Sequence, residues 1–269
     1  MKDLHIHTKY SDGELDEFQI VKAVKESGIK EFSVCDHDTI EGTVKVHRLL
    51  KNDKELIHHL GVELSCHIYE MYGGIDVHLL VRDFGENDEI VNFLVDKIAY
   101  LRKQKIQRMV DLVHKVYDIK ISQEEIEEKE KLTNSFGKPH IYAILSNHGD
   151  FDRETFYKNM RSLKADDLKL NAIEVVKLLK DRKGYVTLAH PIEIMDEYNL
   201  TYEDIDKIVG VLTSNGLKGL ETRHSKQTKE DSAIFSSIAK KYSLIETMGS
   251  DYHGPIVKPN VKLGVCVKE

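Results

Sequence analysis

Short apolar runs alternate with longer amphipathic segments along most of the chain. At the start, Leu4 and Ile6 alternate with His5 and His7, which is the two-residue period of a half-buried strand. Further strand-like runs lie at residues 31–35, 57–66, 75–81, 184–189, 217–221 and 244–248. Apolar residues at helical spacing lie mostly between them, at residues 15–27, 44–50, 170–179, 202–214 and 228–242. This alternation predicts an α/β fold with a parallel sheet of about seven strands.

The alternation stops between residues 85 and 169, where apolar residues recur on helical faces. Ser122 and Glu125 have the spacing of a capping box within this stretch. The stretch is too long for a simple connection between two strands, so we predict a helical subdomain at residues 85–169. Residues 1–84 and 170–269 would form the barrel domain. We interpret the basic residues of the insertion as a solvated helix face rather than a binding stripe; they are Lys97, Arg102, Lys103, Lys105 and Arg108.

The composition is that of a water-soluble protein of 269 residues, with 41% hydrophobic and 32% charged residues. A net charge of -7 argues against a broad basic surface for long nucleic acid. No apolar run approaches the roughly 18 residues that a membrane helix requires. The three cysteines, Cys35, Cys66 and Cys266, are widely spaced, and the N-terminus carries no apolar signal segment. These features predict a cytoplasmic protein without disulfide bonds and without a membrane partner.

Residues that can bind a metal ion lie at or near the ends of the predicted strands. They are His5, His7, Asp12, His37, Glu63, His78, His190, Asp251 and His253. In α/β barrels the carboxyl ends of the strands meet at one face, and the active site lies there. Taken alone, His5 and His7 could equally belong to a partly exposed strand that happens to carry two histidines. His58, His59 and His67 are not predicted as ligands, because none lies where a strand opens into the cleft.

The sequence resembles the PHP (polymerase and histidinol phosphatase) family of metal-dependent phosphoesterases. The matching motifs are His5-Ile6-His7, Ser11-Asp12-Gly13, Asp36-His37, Gly61-Val62-Glu63, His78, Ala189-His190-Pro191 and Ser250-Asp251-Tyr252-His253-Gly254. They span nearly the whole chain, and suitable residue types fill all the metal-ligand positions of the family. The resemblance implies a distorted (β/α)7 barrel of the TIM-like kind, which agrees with the strand pattern.

The resemblance also implies a trinuclear metal centre. Its ligand groups would be His5, His7 and Asp251, then His78 and His190 with Glu63 as the bridge, and finally Asp12, His37 and His253. Glu63, Asp12 and His253 would be the catalytic residues. Imidazole and carboxylate ligands without thiolate suit two to three divalent ions of Mn, Fe or Zn. Cys35 and Cys66, which lie near these motifs, are interpreted as packing residues.

A narrower resemblance lies in the insertion, at Phe136-Gly137-Lys138-Pro139-His140-Ile141. This element is similar to a Gly-Arg-Pro-His element in a PHP branch of nucleoside 3',5'-bisphosphate phosphatases and short-oligonucleotide 5' exonucleases. The resemblance implies that the insertion overhangs the barrel mouth and that Lys138, His140 and His224 contact the substrate phosphate. Lysine in place of arginine gives a point charge rather than a two-pronged contact. The alternative interpretation is a helix start, where proline is favoured in the first turn.

These resemblances predict a phosphoesterase that hydrolyses a phosphomonoester of a small nucleotide by means of a metal-activated hydroxide. The substrate would be a nucleoside 3',5'-bisphosphate or a short oligonucleotide. One alternative is a histidinol-phosphate phosphatase. Another, from a different class, is a metal-binding regulatory domain without catalysis, although the complete ligand set argues against it.

Overall fold

A computed structural model describes residues 1–130, 136–161, 163 and 168–267. The chain divides into two compact units. One unit combines Met1–Asp96 with Leu170–Glu269, and the other is Lys97–Lys169. The division falls within the longest helix, α3 (Glu89–Tyr117). The predicted boundaries at residues 84 and 169, and the predicted position of the insertion over the barrel mouth, stay predictions.

The first unit contains a sheet that is almost closed into a barrel. Its strands are β1 (Lys2–Ile6), β2 (Glu31–Val34), β3 (Ile57–Ile68), β4 (Ile75–Arg82), β5 (Leu170–Asn171), β6 (Tyr185–Leu188), β7 (Gly219–His224) and β8 (Ile245–Gly249). The strand order is β1-β2-β3-β4-β6-β7-β8, and the short β5 pairs with β3. The two ends of this order meet, because the amide of His7 bonds to the carbonyl of Tyr252 and the amide of Asp251 bonds to the carbonyl of His5. The predicted α/β barrel is confirmed.

The prediction of a parallel sheet is wrong for β4. This strand runs antiparallel to both β3 and β6. Residues 69–74 join β3 to β4, and such a short connection can form a hairpin but cannot hold the helix that a parallel crossover requires. The hairpin is what distorts the barrel from a regular alternation of strand and helix.

The helices of this unit each bury apolar residues. Besides the start of α3, they are α1 (Glu17–Glu26), α2 (Glu41–Leu49), α7 (Ala172–Leu179), α8 (Pro191–Tyr198), α9 (Tyr202–Ser214) and α10 (Lys229–Lys241). In α1 the buried positions are Ile20, Val21 and Val24, at helical spacing. Capping boxes start α1, α9 and α10, where the side chain of Asp16, Thr201 or Thr228 accepts backbone amides. These caps explain why the helices begin where the sequence pattern changes.

The second unit is helical. After α3 it contains α4 (Gln123–Glu130), α5 (Lys138–Asn147) and α6 (Arg153–Arg161). The predicted capping box is confirmed, because Ser122 and Glu125 bond to each other's backbone amides at the start of α4. A separate apolar core holds these helices together, with Val113, Ile141 and Phe156 fully buried in it. No helix among the described residues is long and apolar enough to cross a membrane.

Candidate metal centre

A buried carboxylate network shapes the turn after β1. The side chain of Asp36 accepts hydrogen bonds from the Thr8 amide at 2.7 Å, the Thr8 hydroxyl at 2.6 Å and the Ser11 hydroxyl at 2.7 Å. These bonds hold the turn that carries His7 and Asp12. Asp36 is fully buried, so these hydrogen bonds within the protein replace the water that an exposed carboxylate would bind.

The carboxylate of Glu63 is the geometric centre of the site. Five imidazole nitrogens of the described residues lie within 3.2 Å of its oxygens: His5 Nε2, His7 Nε2 and His37 Nδ1 at Oε2, and His78 Nδ1 and His190 Nε2 at Oε1. A carboxylate has about four lone-pair directions, so hydrogen bonds alone do not account for five close nitrogens. The nitrogens close to both oxygens of Glu63 instead suit a carboxylate that would bind cations through each oxygen.

Pairs of imidazole nitrogens that face one another are a second feature that suits metal ions. His5 Nε2 lies 3.1 Å from His7 Nε2, and His78 Nδ1 lies 3.3 Å from His190 Nε2. The Nδ1 atom of His37 is buried without a hydrogen bond. Neutral imidazole nitrogens that face one another can share one cation by pointing both lone pairs at it. The residues present therefore suit divalent ions with nitrogen and oxygen ligands.

Asp12 and Asp251 extend the centre beyond Glu63. Asp12 Oδ1 lies 3.2 Å from His253 Nε2, and its Oδ2 lies 3.8 Å from His37 Nε2. Asp251 Oδ1 lies 3.2 Å from His7 Nε2. Two of the sets whose ligand atoms could hold one ion are therefore Asp12 with His7, His37 and His253, and Asp251 with His5, His7 and Glu63. The structure thus brings together all nine predicted metal ligands; their assignment to particular ions stays a prediction.

Two of these residues have an uncommon backbone conformation. The φ angle is +22° at His190 and +57° at Asp251. Positive φ is rare for residues other than glycine and costs on the order of 1–3 kcal/mol. Both residues follow strand ends, where this conformation turns His190 toward Glu63 and Asp251 toward His7.

Burial and charge act in opposite directions on the pKa values of the centre. Burial would lower the pKa of His5, but the carboxylates of Glu63 and Glu221 outweigh it and raise that pKa well above its ordinary value. Burial also opposes the charged form of His7, yet hydrogen bonds to Asp251 and Glu63 raise its pKa to about 9. Burial would raise the pKa of Glu63, but the surrounding imidazoles hold it well below its usual range. The carboxylates are therefore ionised at neutral pH, as metal ligands must be.

Glu221 is a functional candidate that the sequence reasoning missed. It is fully buried in β7, its Oε1 lies 3.2 Å from His5 Nδ1, and its Oε2 accepts the His190 amide at 2.8 Å. Outer carboxylates of this kind orient ligating histidines and determine which ring nitrogen carries the proton. Its signal in the sequence was its position as the last residue of the predicted strand 217–221, the place where the other ligands were sought.

The predicted phosphate-binding residues lie in both units. His224 ends β7, fully buried, with Nε2 3.4 Å from Asp251 Oδ2. Lys138 begins α5, and His140 Nδ1 accepts a hydrogen bond from the amide of the N-cap residue Gly137 at 3.1 Å. The element is therefore a helix start, and a role for its side chains in binding stays a prediction.

A cavity of about 340 Å³ lies within the helical unit beside Lys138. Its lining consists of Arg102, Lys105, Ile106, Met109, Phe136, Gly137, Lys138, Pro139 and Tyr157. Arg102, which is exposed, and Lys105, which is half-buried, border this cavity with Lys138. Lys97 and Lys103 are exposed and do not line it. The interpretation of these basic residues as a solvated face stays a prediction, although folding of the unit brings Lys105 of α3 beside Lys138 at the start of α5.

The sequence profile of the PHP domain family matches residues 3–217. The chain belongs to the PHP family. A phosphoribosyl 1,2-cyclic phosphate 1,2-diphosphodiesterase of Eggerthella lenta is 27% identical to this PHP protein over 265 residues, covering 94% of each chain. A 5'-3' exoribonuclease of Haemophilus influenzae is 25% identical over 259 residues, covering 94% of this chain and 90% of that protein.

The PHP fold is also recognisable in solved structures. A protein of Bifidobacterium adolescentis, assigned as a metal-dependent phosphoesterase, is similar with a TM-score of 0.68 and 24% identity, over 100% of this chain and 92% of that chain. The predicted family and the predicted class of enzyme, a metal-dependent hydrolase of phosphoric ester bonds, are confirmed. The clusters around Glu63 can hold metal ions; which ions they hold, and how many, stay predictions.

Proposed function

We propose that this PHP protein hydrolyses a phosphomonoester of a small nucleotide, namely a nucleoside 3',5'-bisphosphate or a short oligonucleotide. The observation that carries the hydrolytic part is the arrangement of five imidazoles around the Glu63 carboxylate. The names of both relatives, a phosphoribosyl cyclic phosphate diesterase and an exoribonuclease, support a substrate in which phosphate is esterified to ribose.

The nine ligands predicted from the sequence would hold two to three ions of Mn, Fe or Zn. Such ions, when bound, supply Lewis acidity and lower the pKa of water to near neutrality. Glu63 would bridge two of the ion sites from the barrel interior. Asp12 is 40% exposed at its side chain, so it faces the solvent side of the centre, where His253 also contributes Nε2. We assign to these two residues the role of holding or moving a proton at this side of the centre.

The residues proposed to bind the substrate phosphate are His224 of the barrel unit and Lys138 and His140 of the helical unit. His224 lies beside Asp251, within the metal centre. Lys138, with His140 two residues later on α5, borders the cavity that also contains Arg102 and Lys105. Three basic side chains beside apolar ones, among them Ile106 and Phe136, suit the phosphate and the base of a nucleotide.

A second candidate is hydrolysis of a cyclic ribose phosphate diester. The Eggerthella lenta relative, which is named for such an activity, aligns over 94% of this chain. The two functions differ in the ester that is cleaved and not in the metal chemistry, so the same panel of substrates separates them.

The test is phosphate release from, or ring opening of, a panel of substrates by Mn-loaded protein. The panel contains adenosine 3',5'-bisphosphate, 5'-phosphorylated short RNA, phosphoribosyl 1,2-cyclic phosphate and histidinol phosphate. Turnover of either of the first two supports the proposal. Preference for the cyclic ester supports the second candidate, and preference for histidinol phosphate supports the predicted alternative. Silence on all four, with metal content verified by elemental analysis, would favour a metal-binding regulatory domain.

A matched pair of lysine variants tests the role of the helical unit. Lys138→Met should raise the KM for the preferred substrate roughly 10- to 100-fold, because a charge-assisted hydrogen bond to phosphate is lost. Lys103→Met removes an exposed lysine of the same unit that does not line the cavity, and its KM should equal that of the wild type. Equal KM values for both variants would refute the assignment of Lys138.

A further inference from the structure

The segment after β8 brings a lysine into the metal centre. The ammonium of Lys258 donates a hydrogen bond to Asp251 Oδ2, and the Lys258 side chain is 29% exposed. The same carboxylate oxygen lies 3.4 Å from His224 Nε2. Neither the sequence pattern nor the resemblance to the family pointed to Lys258, which lies five residues after His253 in a stretch without regular secondary structure.

Backbone contacts hold this segment against the barrel on both sides of Lys258. The side chain of Glu14 accepts the amides of Ile256 and Val257. Further along, the amide of Gly264 donates to the buried carboxylate of Asp3 at 2.8 Å. Lys258 is therefore positioned by specific bonds to the barrel, unlike a surface lysine on a freely moving tail.

The Asp251 carboxylate separates the lysine from the metal ligands. Its Oδ1 faces the imidazoles, at 3.2 Å from His7 Nε2 and 3.4 Å from His253 Nδ1. Its Oδ2 faces Lys258 and His224. Asp251 Oδ1 thus points to the predicted ion sites. Asp251 Oδ2 binds the partly exposed ammonium of Lys258, which lies beside those sites.

A cation in this position can bind a further anionic group once the centre carries divalent ions, beside the carboxylates of Asp251 and Glu193 that already act on it. Positive ions near Asp251 would weaken its attraction for the ammonium, because like charges repel strongly where solvent is excluded. A phosphoryl group at the centre has negative oxygens that can accept the N–H donors of an ammonium. Lys258 lies where it can exchange part of its bond with Asp251 for a bond with such an oxygen.

We propose that Lys258 is a substrate-binding residue, whose ammonium donates a hydrogen bond to a phosphoryl oxygen beside Asp251. The inference rests on the proposed hydrolysis of a phosphate ester, but it does not depend on the identity of the nucleotide. The competing explanation is that Lys258 only neutralises Asp251 and fastens the segment to the barrel. A fastening role would change metal content and thermal stability, whereas a binding role changes the affinity for phosphate.

The test measures the binding of inorganic phosphate to Mn-loaded protein by calorimetry, and its inhibition of p-nitrophenyl phosphate hydrolysis. Lys258→Met should weaken phosphate binding roughly 10- to 100-fold with unchanged metal content, and Lys258→Arg should restore part of the affinity. Lys262→Met is the matched control, because Lys262 is an exposed lysine of the same segment. Its phosphate affinity should equal that of the wild type.

Two results would overturn the proposal. The first is an unchanged phosphate affinity in fully loaded Lys258→Met protein. The second is a loss of metal from this variant with normal phosphate affinity of the fraction that stays loaded, which is the signature of a structural role. If Lys258→Met does not fold, Lys258→Gln replaces it in the same measurement. A protein that cleaves no ester would refute the proposed function, yet calorimetry with inorganic phosphate would still decide the role of Lys258.

Discussion

Replacement of Glu221 by glutamine tests how the barrel prepares His5 to bind a metal ion. The Glu221 carboxylate accepts two hydrogen bonds, from His5 Nδ1 at 3.2 Å and from the His190 amide at 2.8 Å. Glutamine has the same shape but offers one acceptor oxygen and one amino group. The backbone amide of His190 can only donate, so the glutamine oxygen must face it. The amino group then faces His5 Nδ1.

This change should force His5 into the wrong tautomer. An amino group beside Nδ1 requires Nδ1 to accept, and the ring proton must then lie on Nε2. That nitrogen is the atom that faces Glu63 at 3.1 Å and would bind the ion. Loss of an outer carboxylate typically costs 10–100-fold in metal affinity, or roughly 1.4–2.7 kcal/mol. Loss of a hydrogen bond to a charged group, at about 1.5–3 kcal/mol, gives the same range.

The assay is calorimetric titration of metal-free protein with Mn²⁺, followed by elemental analysis after dialysis. Glu221→Gln should bind at least one ion roughly 10- to 100-fold more weakly than the wild type. Glu246→Gln is the control, because Glu246 is exposed on the neighbouring strand β8, and it should bind like the wild type. Wild-type affinity in folded Glu221→Gln protein would refute the reasoning about the tautomer.

Three further predictions concern other parts of the barrel unit. Asp12→Ala should remove one metal equivalent and most turnover, as measured by elemental analysis and phosphate release. The hydrogen bond that His59 donates to the Asp83 carboxylate raises the pKa of His59 above its ordinary value. With Asp83 ionised above about pH 4, the pair stabilises the fold fully up to about pH 6.5, and this effect is lost as pH rises through the raised pKa of His59. Urea unfolding should therefore show a difference between wild type and Asp83→Asn that shrinks with rising pH. Gly42→Ala should lower the free energy of unfolding by about 1–3 kcal/mol, because its Cβ would lie 2.0 Å from Asp36 Oδ2.

Controls make each of these outcomes decisive. Asp181→Ala removes a carboxylate that is 87% exposed and should leave metal content unchanged. Gly85→Ala adds a Cβ with no atom within 4 Å and should leave stability unchanged. Full metal content in the Asp12 variant would contradict the third ion site. A stability difference that grows with pH would contradict the assigned ion pair, and a neutral Gly42 substitution would contradict the close approach to Asp36.

The sequence by itself predicted most of the helices and strands and the nine candidate metal ligands. Period-two alternation around His5 and His7, and helical spacing elsewhere, reflect local backbone geometry, which needs no knowledge of distant residues. The short motifs around Glu63 and Asp251 indicated the PHP family, because a metal site requires particular side chains at strand ends. The same reasoning could place Lys138 at a helix start but could not say what else lies beside it.

Tertiary structure alone decided how these pieces combine. The hairpin of β3 and β4 reverses one strand, since its connection is too short for a crossover helix. Glu221 and Lys258 resemble many other acidic and basic residues in the sequence, and only folding shows that one holds His5 and the other reaches Asp251. The interaction energy of two charges depends on their distance in space. The partners of a charged residue therefore depend on the arrangement of the whole barrel and not on spacing along the chain.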